Sequence, residues 1–301
     1  MKKTLLTVVA LLGATAAYAQ LFGVGAAKEI ALPAGTSAEQ AVISPDGGKV
    51  AFVDMHGTGL QVVDVKTGAA THISDKAIGL DLSFTADGSA VVFDEVSYQK
   101  QLRRVAVKSY DLAKGTTTTI IKDTRELQGV AIDGGNVKAI AGGKTHARRV
   151  AAAPAAERPV LSIDRGQLCI TKGGTTTVLS PLGVDGMSYL WPSLSPDGKR
   201  ICFYAAGMGC YTCALDGSDV RKLGWIRAAQ WYGNDVVVGM HDRNDGRFTT
   251  ESAILAKSID GKETQTITPA NVVAVLPSVA EGKIAYSTVD GRVFVLDVTR
   301  K

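Results

Sequence analysis

Four cysteines and four histidines are the residues of this chain best suited to redox or metal chemistry. Cys210-Tyr-Thr-Cys213 has the spacing of a thioredoxin-type redox pair, but such a pair works at a helix N-terminus, where the thiolate is stabilised. Here both cysteines fall in a stretch that reads as a strand, and a three-residue offset sends the two side chains to opposite faces. Zinc would need a second ligand pair, which the spacing does not supply. The hairpin from Ile201 to Ala214 is expected to set Cys202 opposite Cys213, a pair that an oxidising compartment would be able to bridge. Buried free thiols, Cys169 included, are the plainer expectation. His56, His146 and His241 are expected in loops between the second and third strands of three alternate units, away from the axis, so no metal is predicted. Asp242 to Gly246 lacks the alternating ligands and closing Glu of a calcium loop and reads as a hairpin turn.

Nucleophilic catalysis has no local signature, because the chain contains no Gly-x-Ser-x-Gly elbow to hold a serine. The many carboxylates sit beside glycines in turn-forming pairs, and turn chemistry accounts for them. What remains is a set of cations and aromatics in three long loops. These are Tyr98, Lys100, Arg103 and Arg104 within 95–104; Arg148 and Arg149 within 142–159; and Arg243, Arg247 and Phe248. Arg with aromatic neighbours suits protein anchors, so a partner protein with an acidic face is the expected occupant. An enzyme or ligand-binding site assembled from distant strands around a central channel is the alternative, since such a site leaves no local motif.

The elements that would position these residues announce themselves by repetition. Ser44-Pro-Asp-Gly47 runs on into Gly-Lys-Val-Ala-Phe, and Ser195-Pro-Asp-Gly198 into Lys-Arg-Ile-Cys-Phe. A weaker copy, Thr85-Ala-Asp-Gly88, leads to Ser-Ala-Val-Val-Phe. In each, the fourth and sixth residues after the Asp (Val50 and Phe52, Val91 and Phe93, Ile201 and Phe203) share one face of a strand. Fainter copies follow Asp133-Gly134, Asn234-Asp235 and Glu281-Gly282. A second Asp, often with Gly soon after, closes a later strand in most units, and Thr-rich stretches such as Thr116–Ile121, Thr175–Leu179 and Thr264–Ile267 read as outer strands. The pattern predicts an all-β fold, a six-bladed β-propeller of four-stranded antiparallel blades.

Residues 1–19 carry Lys2-Lys3, an apolar run from Leu5 to Leu12 and Ala17-Tyr-Ala19, which reads as a secretory signal peptide cleaved before Gln20. No Cys follows the cleavage point, so no lipid anchor is expected. Positions 20–301 then form one propeller domain, with about 47 residues per unit, a length that suits a four-stranded blade. The last unit ends after its third strand, and the lone alternating stretch Lys28-Glu-Ile-Ala-Leu32 is expected to pair beside Val293–Val298 and close the ring.

The Ser-Pro-Asp-Gly-Lys-Arg-Ile-Cys-Phe segment and its partner at Ser44 resemble the repeat of TolB-like six-bladed propellers, over nearly the whole chain beyond the leader. The resemblance implies a periplasmic or extracellular propeller that acts as a non-catalytic scaffold. TolB itself has an additional domain before its propeller, for which the stretch between Gln20 and Ser44 leaves no room. Lys plus Arg is 33 against 29 for Asp plus Glu, too balanced for nucleic acid or membrane insertion to be the main business. A monomer without cofactor is expected.

Overall fold

The computed structural model describes residues 20–55, 58–155 and 157–301. Residues 1–19, read as a leader, and His56 lie outside the described residues. Among those described, the regular elements are all strands, and they fall into antiparallel meanders that we number as blades. Blade 1 comprises Ala38–Ile43, Lys49–Asp54, Thr58–Asp64 and Ala70–Ile78; blade 2, Ser83–Phe84, Ala90–Gln99, Leu102–Asp111 and Thr116–Thr124. Blade 3 is Leu127–Asp133, Asn136–Ala141 and Lys144–Arg149; blade 4, Val160–Asp164, Gln167–Lys172 and Thr175–Leu179. Blade 5 is Tyr189–Leu194, Arg200–Ala205, Gly209–Ala214 and Arg221–Gly224; blade 6, Arg227–Tyr232, Val236–Asn244, Thr249–Ser258 and Thr264–Thr266. Blade 7 holds Ala274–Ala280, Lys283–Thr288 and Val293–Arg300, with Phe22–Glu29 hydrogen-bonded outside them.

The expected six units are therefore seven. Blades 1 and 2 share one eight-stranded sheet, joined by the short ladder of Ala77 and Ile78 with Val96 and Glu95 and a bond from Gly79 N–H to the Asp94 carbonyl. The extra unit is blade 4, whose first turn, Asp164-Arg165-Gly166, sets its Gly one place later than the repeat and bends through left-handed Arg165 (φ 47°) and Gly166 (φ 82°). Blades 3 and 4 also depart from the four-stranded expectation, with three strands each. An odd count delivers the chain to the opposite end of the blade. Gly129 accordingly faces Leu161 and Ser162, while Asp133, later in its strand, accepts from the N–H of Arg158, earlier in the chain. The first strands of blades 3 and 4 thus run antiparallel, and the second three-stranded blade restores the direction for blade 5. Lys28 pairs with Val295 as expected, but the strand is Phe22–Glu29, so only Lys28 and Glu29 of the predicted stretch lie in it.

The strand Lys49–Asp54 shows why the repeats are apolar without alternation. Val50 and Phe52 enter a core shared with Ala285, Val293 and Val295 of blade 7. Ala51 and Val53 face Val91 and Phe93 of blade 2. A blade buried on both faces needs apolar residues at every position of its middle strands. Similar cores lie between blades 2 and 3, 4 and 5, 5 and 6, and 6 and 7, and the first strand of blade 1 touches that of blade 7.

The repeated tetrapeptide is a hydrogen-bonding device. Ser195 Oγ donates to Asp197 (2.7 Å) and accepts from Arg200 N–H (2.9 Å), while Gly198 N–H bonds the Ser195 carbonyl (2.8 Å). Ser44 and Thr85 do the same with Asp46 and Lys49, and with Asp87 and Ala90. Gly198 takes φ 73°, which a Cβ would resist. Ser258-Ile-Asp-Gly261 and Thr288-Val-Asp-Gly291 build the same knot at other corners. Ser195 is buried, so Ser195→Ala is expected to cost about 1–2 kcal/mol in urea unfolding, with the slope of the transition unchanged.

Candidate functional site

The first strands of blades 2 to 6 line a central cavity. In every blade but the fourth they start at one face, here called upper, which also carries the hairpins between second and third strands; the Ser-Pro-Asp-Gly turns lie at the lower face. At the upper mouth a cavity of about 290 Å³ is lined by Asp81, Asp94 and Arg103 of blade 2 and its approach, Gln128 of blade 3, Ser162 of blade 4 and Trp191 of blade 5. It continues past Leu80, Asp81, Val130, Leu161 and Pro192 into one of about 390 Å³. Beyond Ser83 and Gln230 the lower mouth is lined by Pro45, Phe84, Pro196 and Trp231.

Two carboxylates meet at the upper mouth. Asp94 is buried (2 % exposed); one of its oxygens accepts the Asp81 N–H at 3.0 Å and the other lies 3.9 Å from the half-exposed Arg103 guanidinium. Gly79 makes room for it: a Cβ there would stand 1.9 Å from Asp94 Oδ2. Asp81 is exposed to the cavity, with protein crowded around its carboxyl. Enclosure, with the Asp94 charge adding, pushes its carboxyl up to about 7, against the pull of Arg103. Burial likewise raises Asp94, opposed by the Asp81 N–H and by Arg103.

Opposite stands Trp191, 45 % exposed and held at φ 49°. It sits in a β-bulge between Leu190 and Ser193 and is followed by Pro192. Ala228 and Leu276 take the same left-handed conformation (φ 48° and 49°) in bulges of blades 6 and 7. Bulges re-aim side chains beside sites, and the strain of a non-glycine left-handed residue is kept where surrounding structure enforces it. The Trp191 ring leans on Tyr204, with ring centres 5.5 Å apart. Leu80 lines the cavity and is exposed, and Tyr98, Leu102, Trp225 and Phe248 are exposed elsewhere on the same face. Val24, Val178 and Val220 are exposed elsewhere.

The cationic loops are only partly a shared surface. Residues 95–104 form a continuous hairpin whose tip is Lys100 (φ 49°) and Gln101 (φ 64°). This projects Tyr98, Lys100, Arg103 and Arg104 at the upper face, Arg104 being tied to Asp123. Arg243, 3.7 Å from Glu251, and Arg247, over the Phe248 ring, share that face. Arg148 and Arg149 do not. The stretch read as a loop contains the strand Lys144–Arg149, which places them opposite Val137 and Asn136 at the lower end, with Arg149 donating to the Ala152 carbonyl (2.8 Å). His146 lies mid-strand beside Ala139, and His241 Nδ1 is 2.7 Å from the Trp225 carbonyl, so these two imidazoles do not converge. Asp242 is held by Arg227, and Asp245 accepts two N–H groups of its own hairpin.

Asp81, Asp94 and Trp191 escaped the sequence reading. Aligning the repeats on their Phe exposes one of them. The residue after Phe52 is Val53 and that after Phe203 is Tyr204, whereas Phe93 is followed by a carboxylate.

Meanders radiating from a central cavity define a β-propeller, and comparison of structures agrees. The chain is similar to the β-propeller domain of Cps50 (Swd1) from Myceliophteria thermophila, with TM-score 0.63 and 10 % identity over 92 % of this chain and 100 % of that one. It is equally similar to streptogramin B lyase, with TM-score 0.63 and 12 % identity over 93 % and 100 %. A protein assigned as TolB from Agrobacterium tumefaciens gives TM-score 0.56 and 14 % identity over 88 % and 91 %. Identities this low speak to the fold alone. No family model and no curated protein matches the chain in sequence.

Proposed function

We propose that the protein is an exported propeller, its seven blades closed into a ring, that takes a small polar ligand at the upper mouth of its central cavity. The observation that carries this reading is the meeting of two elevated carboxyls, Asp81 and Asp94, with a half-free Arg103 across from an exposed Trp191. A concave site with few convergent polar groups and shifted titrations is the usual form of a ligand site. The carboxyls accept hydrogen bonds, Arg103 donates them, and Trp191 offers a face to a ring or cation. Export rests on the N-terminal leader sequence, and the TolB-like repeat supports an envelope setting.

The test is a thermal-shift screen of soluble glycans and short peptides against the parent, Trp191→Ala and Arg103→Glu. A compound that stabilises the parent and loses at least about tenfold in affinity in both variants supports the mouth site; each lost anchor is expected to be worth about 1.4 kcal/mol or more. A screen without any compound that separates parent from variants sinks it.

A second reading, the non-catalytic scaffold, is favoured by the exposed Tyr98, Leu102, Trp225 and Phe248 on that same face. Exposed apolar and aromatic side chains flanked by arginines, one set on blade 2 and one on blade 6, suit a protein partner. In that case crosslinking from the native envelope captures one dominant protein, lost on exchanging Arg103, Arg104, Arg243 and Arg247 for Glu.

A further inference from the structure

Blade 5 holds three cysteines in one hairpin, and the structure sorts them. Cys213 lies opposite Ile201, not Cys202 as the sequence suggested, and turns into the core shared with blade 4. Cys210 points the other way, into the core shared with blade 6, so the Cys-x-x-Cys pair is split between two faces as its spacing requires. Cys202 lies opposite Thr212, and Cys210 opposite Tyr204. The two cysteines are therefore diagonal neighbours on one face of the hairpin, packed among Leu223, Ile226 and Val237. Their sulfurs are 3.5 Å apart. Cys169 belongs to another blade.

We infer that Cys202 and Cys210 are a disulfide site, oxidised by thiol–disulfide exchange while the chain folds. Drawing 3.5 Å down to the length of about 2.05 Å of an S–S bond asks each sulfur to move by under about 1 Å, with the hairpin backbone adjusting to bring the diagonal pair together. In the folded protein both thiols are fully covered (1 % exposed), and contact with Cys210 together with burial raises the Cys202 thiol well above its ordinary range. The thiolate is the attacking species, so exchange belongs to the stage before blades 5 and 6 pack together.

The chemistry needs an external disulfide, either a small-molecule one such as oxidised glutathione or that of an oxidoreductase. One cysteine thiolate attacks it, forming a mixed disulfide and releasing one thiolate. The second cysteine thiolate then displaces the other half. Two electrons pass to the oxidant, and its two released thiolates take up the two protons that the cysteines lost. The bridge closes only a short loop and pins the hairpin beneath Tyr204 and Trp191, since Cys210 lines the same crevice as both rings. The inference does not depend on the ligand site; it needs only an oxidant during folding, which an oxidising compartment supplies.

The full chain, denatured in reductant and refolded with oxidised and reduced glutathione, tests it without reference to localisation. Two of the four thiols are expected to vanish from a titration in denaturant, with a mass lower by about 2 Da and a crosslinked peptide pair containing Cys202 and Cys210. Cys202→Ser and Cys210→Ser should each retain full mass less only the substitution, while Cys213→Ser still loses the two hydrogens. Four titratable thiols in the refolded parent, or a crosslink involving Cys213 or Cys169 in place of this pair, overturns the assignment. Because peptide mapping of the parent decides it, a variant that fails to fold does not spoil the test.

Discussion

Asp81→Asn is expected to be more stable than the parent protein at pH 8 and indistinguishable from it at pH 3. The sign follows from where the proton sits. In the unfolded chain Asp81 titrates near 3.8, whereas in the folded chain its carboxyl is raised to about 7. Between those values the folded state still binds a proton that the unfolded state has released. Stability therefore falls as pH rises through this window, and the full penalty stands above it. Asn, which never ionises, escapes the penalty. Three pH units of linkage would be about 4 kcal/mol, but Asp81 meets water in the cavity, and screening reduces this to about 1–2 kcal/mol. That is a rise of roughly 2–4 °C in melting temperature.

Urea unfolding of both proteins from pH 3 to 8 measures the effect, and the difference between them is the quantity to read. The parent's own profile is mixed, because Asp46 and Asp197, held low chiefly by the hydroxyls of Ser44 and Ser195, lose stability as pH falls. Subtracting the variant cancels those turns. A difference that is flat across the range means that Asp81 is an ordinary solvated carboxylate, and the mouth site loses its main support. A stabilised variant that also loses ligand would show a residue retained for function at a cost in stability.

What could be read from the sequence was local. The turns at Ser44, Thr85 and Ser195 were legible because hydroxyl, Asp and Gly all act within five residues of chain. Thr175–Leu179 was legible as a strand for the same reason, and Lys28 beside Val295 because an alternating segment without a local partner needed a distant one. The blade count was not, since blade 4 turns on a different set of φ angles and runs reversed. Two three-stranded blades occupy a length that one longer unit with a loop would also fill. Arg148 and Arg149 were misplaced by the same error, because a strand carries its far end to the other face. The site itself was hidden more deeply. Asp81 and Asp94 become a pair only when the approach to blade 2 folds under its second strand; aligning the repeats marks Asp94 alone, and nothing local marks Asp81.

Phe22→Ala is expected to lose about 3–5 kcal/mol, a large share of the roughly 5–15 kcal/mol that folded domains hold in total. Phe22 is 1 % exposed and meets the Tyr232 ring edge-on at 4.6 Å, with the Arg300 guanidinium over its own face. Its backbone N–H and carbonyl are both engaged by the Gln265 amide (2.8 and 2.9 Å). The residue thus anchors the outer strand of blade 7 to blade 6, across the seam where the chain's two ends meet. Val24→Ala, on the same strand but 37 % exposed, should cost under about 0.5 kcal/mol and controls for the strand's own propensity. The kinetics should be lopsided. Pairing Phe22 with Arg300 closes almost the whole chain into one loop, an entropic cost that favours forming such contacts late. Contacts made after the transition state slow unfolding without hastening folding, so Phe22→Ala should accelerate unfolding and leave the refolding limb of the chevron in place. Equal loss in both limbs would mean that Phe22–Glu29 joins blade 7 early and helps to nucleate folding.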